Sequence, residues 1–148
     1  MRIKLIISYD GTRYGGWQLQ KNAPSIQGEL ENVLKTLTGK RIVVQSAGRT
    51  DAGVHALGQT AHLDYSGSIP PQKLPFVFNS MLPKDIRVTG AWEVSDDFHA
   101  RYNAKGKRYI YTIYNSPHSS ALLYNRTMHV PQKLEFQKMR AAAQYIIG

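Results

Sequence analysis

A carboxylate, a guanidinium and an imidazole crowd one short connection in Gly48-Arg49-Thr50-Asp51-Ala52-Gly53-Val54-His55-Ala56. It lies between two apolar segments, residues 41–46 and 57–65, each of which reads as a strand. Loops held between rigid elements are where binding and catalytic groups concentrate. Gly48 and Gly53 flank Asp51 without side chains, which allows positive φ and lets a ligand approach the backbone. The pattern points to a presented acid. The same residues also suit a plain turn, in which Thr50 and Asp51 bond to the backbone and Arg49 is a surface cation. Asp51, His55, His62 and Asp64 are also ligand types that a metal-dependent nuclease could use, although His and Asp on a strand are more often satisfied by hydrogen bonds.

The elements that must position this loop follow from periodicity. Ile3, Leu5, Ile7 and Tyr9 alternate with Arg2, Lys4, Ile6 and Ser8, the period of a strand with one face on a core. The stretch Asp10-Gly11-Thr12-Arg13-Tyr14-Gly15-Gly16-Trp17-Gln18 follows directly, and its glycines match neither the dinucleotide fingerprint nor the P-loop spacing. It reads equally as a structural turn or as a loop that touches RNA backbone. Ser25 caps an expected helix with apolar Ile26, Leu30, Val33, Leu34 and Leu37, ending at Thr38-Gly39. In the strand at 57–65, Ala61, Leu63 and Tyr65 share one face and Thr60, His62 and Asp64 the other.

Pro70-Pro71 opens a short helix carrying Leu74, Val77, Phe78 and Met81, with Pro75 limiting where regular hydrogen bonding begins. Ile86, Val88, Trp92 and Val94 then alternate as a strand, with Gly90 on their face leaving room for a bulky neighbour. The order strand, helix, strand, strand, helix, strand predicts an α+β fold, a ferredoxin-like or RNA-recognition-motif-like antiparallel sheet with helices on one face. A tail helix is expected over 135–147, with Met139, Ala142, Ala143 and Ile146 on one side. The organisation expected is a domain at 1–114 bearing Asp51, then a connection and helix at 115–148.

The chain has 148 residues, of which 42% are hydrophobic, enough to form a core. It contains no cysteine, which excludes disulfides, thiolate nucleophiles and cysteine-based zinc sites. The opening apolar run is too short and too alternating for a signal peptide or membrane span, so a cytoplasmic location is expected. Nineteen Lys and Arg against ten Asp and Glu give a net charge of +9, which suits a polyanionic partner. Nine Tyr and two Trp offer faces on which unpaired bases can stack. Arg101, Lys105, Lys107 and Arg108 interleave with Tyr102, Tyr109 and Tyr111 ahead of a strand expected to run to Tyr114. That segment reads either as a solvated basic hairpin or as an RNA contact.

Several blocks stand in order: Tyr9-Asp10-Gly11-Thr12, Gly16-Trp17-Gln18, Ser25-Ile26-Gln27-Gly28, the Asp51 stretch, Asn79 with Leu82-Pro83, and Phe98-His99-Ala100-Arg101. Together they resemble the bacterial TruA family of tRNA pseudouridine synthases, from the first strand to about Tyr114. The resemblance implies an isomerase that converts uridine to pseudouridine in the anticodon stem-loop of tRNA. It implies Asp51 as the essential carboxylate, Arg49 as the group that binds RNA and holds the flipped nucleotide, and Tyr109 as the ring stacked on the target base. Breaking the bond from C1′ to N1, turning the uracil and rejoining through C5 requires no metal, redox cofactor or ATP. The carboxylate serves as nucleophile or as base, and the residues leave both routes open.

Family chains are longer, with a second related domain that closes the cleft and supplies a basic partner for the aspartate, and are usually homodimers. The sequence is therefore expected to be the amino-terminal half of such an enzyme and to lack turnover by itself. The competing expectation is a non-catalytic RNA-binding module that keeps the fold and the basic surface.

Overall fold

The computed structural model describes residues 1–147. The chain divides into two compact units, Met1–Gly106 and the remainder from Lys107. In the first unit, strands β1 (Arg2–Tyr9), β2 (Gln45–Ser46), β3 (Ala56–Asp64) and β4 (Ile86–Val94) form one sheet, ordered β2-β3-β1-β4. Every neighbouring pair is antiparallel. Helix α1 (Ile26–Thr38) connects β1 to β2, and helix α2 (Leu74–Met81) connects β3 to β4. Each strand-helix-strand unit straddles a strand of the other, which is the expected ferredoxin-like arrangement.

Helix α1 begins where the Ser25 hydroxyl accepts the Gly28 N–H at 3.1 Å, and ends at Gly39, whose φ of 68° suits glycine. Its Ile26, Leu30 and Leu34 pack with Ile3, Leu5 and Ile7 of β1, all fully buried. Each such side chain contributes about 1.5–3 kcal/mol relative to exposure. A 3-10 turn at Pro71–Lys73 precedes α2, and Pro75 lies in the first helical turn, where a missing N–H costs no helical bond. Asn79 of α2 bonds both backbone groups of Val88 at 2.9 Å, standing in for a strand on the open edge of β4.

Three strand expectations are corrected. Of residues 41–46 only Gln45–Ser46 joins the sheet. The Val44 N–H instead donates to the buried Glu31 carboxylate at 3.2 Å, which also accepts from Gln27 at 2.7 Å. In β4 the register shifts opposite Ile6 and Ile7, where Thr89 is the extra residue, and a bulge reverses the faces beyond it. Ala91 therefore turns to the core, while Trp92 is half exposed, its ring over Gly90 and 5.1 Å from the Lys4 ammonium. The strand expected to run from the basic segment to Tyr114 is confined to β5 (Ile113–Asn115), and residues 104–112 join no ladder among the described residues.

In the second unit β5 pairs in parallel with β6 (Met128–Val130), and α3 (Phe136–Ala143) runs into a 3-10 turn at Gln144–Ile146. The Met128, Phe136, Met139 and Ile146 side chains of this unit are exposed, whereas Leu123, Val130 and Leu134 are half-buried. No described helix is long and apolar enough to cross a membrane.

His62 projects from the helix-free face of the sheet, opposite Lys4, yet is buried because residues 98–103 fold over it. Its Nδ1 accepts the Ala100 N–H at 3.2 Å, and its ring lies 4.6 Å from that of His99. Burial first, then the neighbouring His99 and Arg2, lower its proton affinity, against a smaller opposing pull from Asp64 and a bond to the Gln45 backbone. A histidine with a lowered folded pKa contributes stability above its ordinary value and loses it as pH falls through the folded one. The urea midpoint should therefore drop on acidification below about pH 6.5, and His62→Gln should flatten that drop. An equal drop in the variant would remove His62 as its source.

Candidate active site

The register of the sheet assembles the site. Tyr9, at the end of β1, pairs with Ala56 at the start of β3 and with Ile86 at the start of β4. The loop after β1, the Asp51 loop before β3 and the turn before β4 consequently meet at one end of the sheet. Of the two readings of residues 10–18, the structural one accounts for what the fold displays, because this loop is the bed of the Asp51 loop. Gly11 and Gly16 lie so close beneath it that an added Cβ would fall 2.0 Å from the Val54 oxygen and 2.5 Å from the Thr50 oxygen.

Hydrogen bonds hold the Asp51 loop on both flanks. Before Asp51, the Trp17 N–H donates to the Thr50 carbonyl at 3.0 Å, the Tyr9 and Thr50 hydroxyls are 2.8 Å apart, and Ser46 Oγ donates to the Gly48 carbonyl at 2.9 Å. Gln59 Nε2 donates to that same Gly48 carbonyl. After it, the Gly53 N–H reaches the Tyr14 carbonyl at 3.3 Å and the Gly11 N–H donates to His55 Nδ1 at 3.0 Å. Asp10 Oδ1 lies 3.1 Å from the same Nδ1. One nitrogen cannot accept from Gly11 and donate to Asp10 at once, so the contact made depends on whether Nδ1 carries a hydrogen. Gly53 has the expected positive φ, 77°, whereas Gly48 is not among the left-handed glycines, and Gly16, at 104°, is.

The bed is itself anchored. The Ile26 N–H donates to the Gly16 carbonyl and the Gln27 N–H to the Trp17 carbonyl, tying it to the start of α1. At its other end the Asp85 carboxylate accepts from Arg13 at 2.6 Å and from the Tyr14 hydroxyl at 2.8 Å. Burial pushes the Asp85 carboxyl up, but the bonds from Arg13 and Tyr14 outweigh it and hold the group below its ordinary range. Burial and the adjacent Asp85 raise the Tyr14 phenol, keeping it a neutral donor.

Asp51 sits exposed at the crest, and among the described residues no salt bridge engages it. Such a carboxylate can attack an electrophilic carbon or remove a proton. Arg49, two residues earlier, is exposed on the same loop. Arg101 and Lys105 are exposed in and after the turn over His62, which lies five residues along β1 from the Asp51 end, about 17 Å at the rise of a strand. Lys107, Arg108 and Tyr109 are exposed in the second unit. The metal-ligand grouping is not assembled, since His62 bonds Ala100 and Asp64 pairs with Arg2 at 2.9 Å, away from Asp51. No cluster of three or more candidate ligands occurs among the described residues.

Tyr9, Trp17, Gln59 and Asp85 are parts of this site that sequence reasoning missed. Tyr9 and Trp17 fell within the family blocks but were read as core strand and turn. Gln59 and Asp85 carried no signal, because their roles depend on which strands are neighbours.

Residues 5–103 match the family model described as tRNA pseudouridine synthase. Among similar curated proteins, the tRNA pseudouridine synthase A of Acetivibrio thermocellus is 53% identical over 146 residues, covering 99% of this chain and 60% of the relative. Those of Ruminiclostridium cellulolyticum and Rhodopseudomonas palustris are 48% and 50% identical, again over 99% of the chain and 60% of their own length. The chain thus spans about 60% of the length of the curated relatives it matches.

The close packing of the two loops is measurable. Gly11→Ala should cost about 1–3 kcal/mol in urea unfolding, because the added methyl meets backbone that cannot turn aside. Gly106→Ala, with nothing within 4 Å of the new Cβ, should stay within about 0.5 kcal/mol of the parent. Equal stability of the two variants would contradict the packing of the bed against the loop.

Proposed function

The chain belongs to the tRNA pseudouridine synthase family, and from that premise we propose that it carries the aspartate side of an enzyme that isomerises uridine to pseudouridine in tRNA. The observation that carries this reading is the exposed Asp51, presented by a loop bonded on both flanks. Isomerisation breaks the bond between C1′ and N1, turns the uracil, and forms a bond between C1′ and C5, after which the C5 proton leaves and N1 regains one. The reaction is redox-neutral. The Asp51 carboxylate serves attack at C1′ or removal of a sugar proton.

The proposed substrate is the anticodon stem-loop of a cytoplasmic tRNA. A stacked or paired uridine hides its faces, so it must be extruded at a cost of a few kcal/mol. In this reading Arg49, exposed two residues before Asp51, meets phosphate beside the carboxylate and fills the vacated space. The Tyr109 ring replaces the lost stacking, and Arg101, Lys105, Lys107 and Arg108 neutralise phosphates. The complete enzyme, assembled as a homodimer, supplies the rest of the cleft.

In the complete enzyme, Asp51→Asn should abolish tritium release from C5-labelled uridine while tRNA affinity stays within a few-fold. The amide keeps the size of the side chain and removes its charge. Substantial turnover by this variant would end the assignment, and a complete enzyme that binds tRNA without any release would favour the RNA-binding module. Alanine at Arg49, Arg101, Lys105, Lys107 or Arg108 should each lower the slope of log affinity against log salt by about one unit per lost phosphate contact. Unchanged slopes throughout would make these cations bystanders.

A further inference from the structure

We propose that Tyr9 is a positioning residue for the reaction, acting through Thr50 to fix the direction in which Asp51 is presented; this rests on the functional reading above. Tyr9 ends the central strand of the sheet and is buried. Its hydroxyl reaches Thr50, the residue immediately before Asp51, with the oxygens 2.8 Å apart. Gln59 Nε2 holds the Gly48 carbonyl on the same flank of the loop. Either hydroxyl can be the donor in the pair of Tyr9 and Thr50, and the bond ties the two residues together in both cases.

Thr50 is thereby held at both ends, its carbonyl by the Trp17 N–H at 3.0 Å and its side chain by Tyr9. Two attachments at one residue fix rotation as well as position. Asp51 follows with an exposed side chain whose direction is inherited from Thr50. The Tyr9 ring packs in the core and lies 6.2 Å from that of Trp17. Tyr9→Phe therefore removes the hydroxyl and leaves the packing.

The test is steady-state tritium release by the complete enzyme, with Tyr9→Phe, Thr50→Val and the double variant beside Asp51→Asn. Each single substitution is expected to lower kcat roughly ten- to a hundredfold, the range for a slightly misplaced reacting group. KM for tRNA and the thermal midpoint should hardly move. The double variant should be no slower than the slower single one, because both remove the same bond. A kcat for Tyr9→Phe equal to that of the parent, with Asp51→Asn inactive, overturns the inference and leaves the functional reading intact. So do losses that multiply in the double variant, or a fall in kcat matched by a fall in the thermal midpoint. An active Asp51→Asn strikes at the functional reading itself.

Discussion

The contact on which the rest of the site depends is the approach of Gly11 and Gly16 to the backbone of the Asp51 loop, closer than any side chain allows. Backbone lying on backbone lets the Trp17 N–H reach the Thr50 carbonyl and the Gly53 N–H reach the Tyr14 carbonyl. These bonds fix a surface turn against a second loop. The bed in turn depends on Asp85, whose carboxylate gathers Arg13 and Tyr14 and whose carbonyl accepts the Asp10 N–H at 2.9 Å. The acid is thus linked through one loop to the starts of α1 and β4.

This arrangement reconciles two demands on a reacting carboxylate. It must be placed within fractions of an ångström, yet an oxygen committed to internal hydrogen bonds is less available to a substrate. Here the neighbours of Asp51 in the chain carry the bonds, and Asp51 stays exposed. Glu31 illustrates the opposite use of the same chemistry. Buried on α1, it accepts from Gln27 and from the Val44 N–H, with Arg41 3.7 Å away. Its charge holds the segment before β2 to the helix and leaves nothing for a ligand.

The fold was legible wherever local signals agreed. Ser25, the apolar rhythm from Ile26 to Leu37 and Gly39 mark α1 from cap to cap, and the alternation of β1 states which face is buried. Legibility failed where a long-range partner overrode a local pattern. Residues 41–44 look like a strand, but the N–H of Val44 is taken by Glu31, thirteen residues earlier. Trp92 follows the alternation of Ile86 and Val88, but one extra residue at Thr89 turns it to the other face. A bulge changes the sign of every position beyond it while leaving composition untouched. The basic and aromatic residues ahead of β5 carry strand propensity, and propensity supplies no partner for a ladder.

The Asp51 loop was legible for a different reason: reactive residue types crowd between glycines, and that crowding survives without knowledge of the fold. Its support is spread over Tyr9, Gly11, Trp17, Gln59 and Asp85, which converge only because β1 lies between β3 and β4 in antiparallel register. Antiparallel pairing reverses chain direction, so the end of β1 necessarily meets the starts of both neighbours. Any loop following β1 must then lie against the loops preceding β3 and β4. Once the strand order is fixed, glycines in the first of these loops acquire a physical meaning that their spacing alone did not carry. Close passage beneath a second backbone is what keeps side chains out of Gly11 and Gly16.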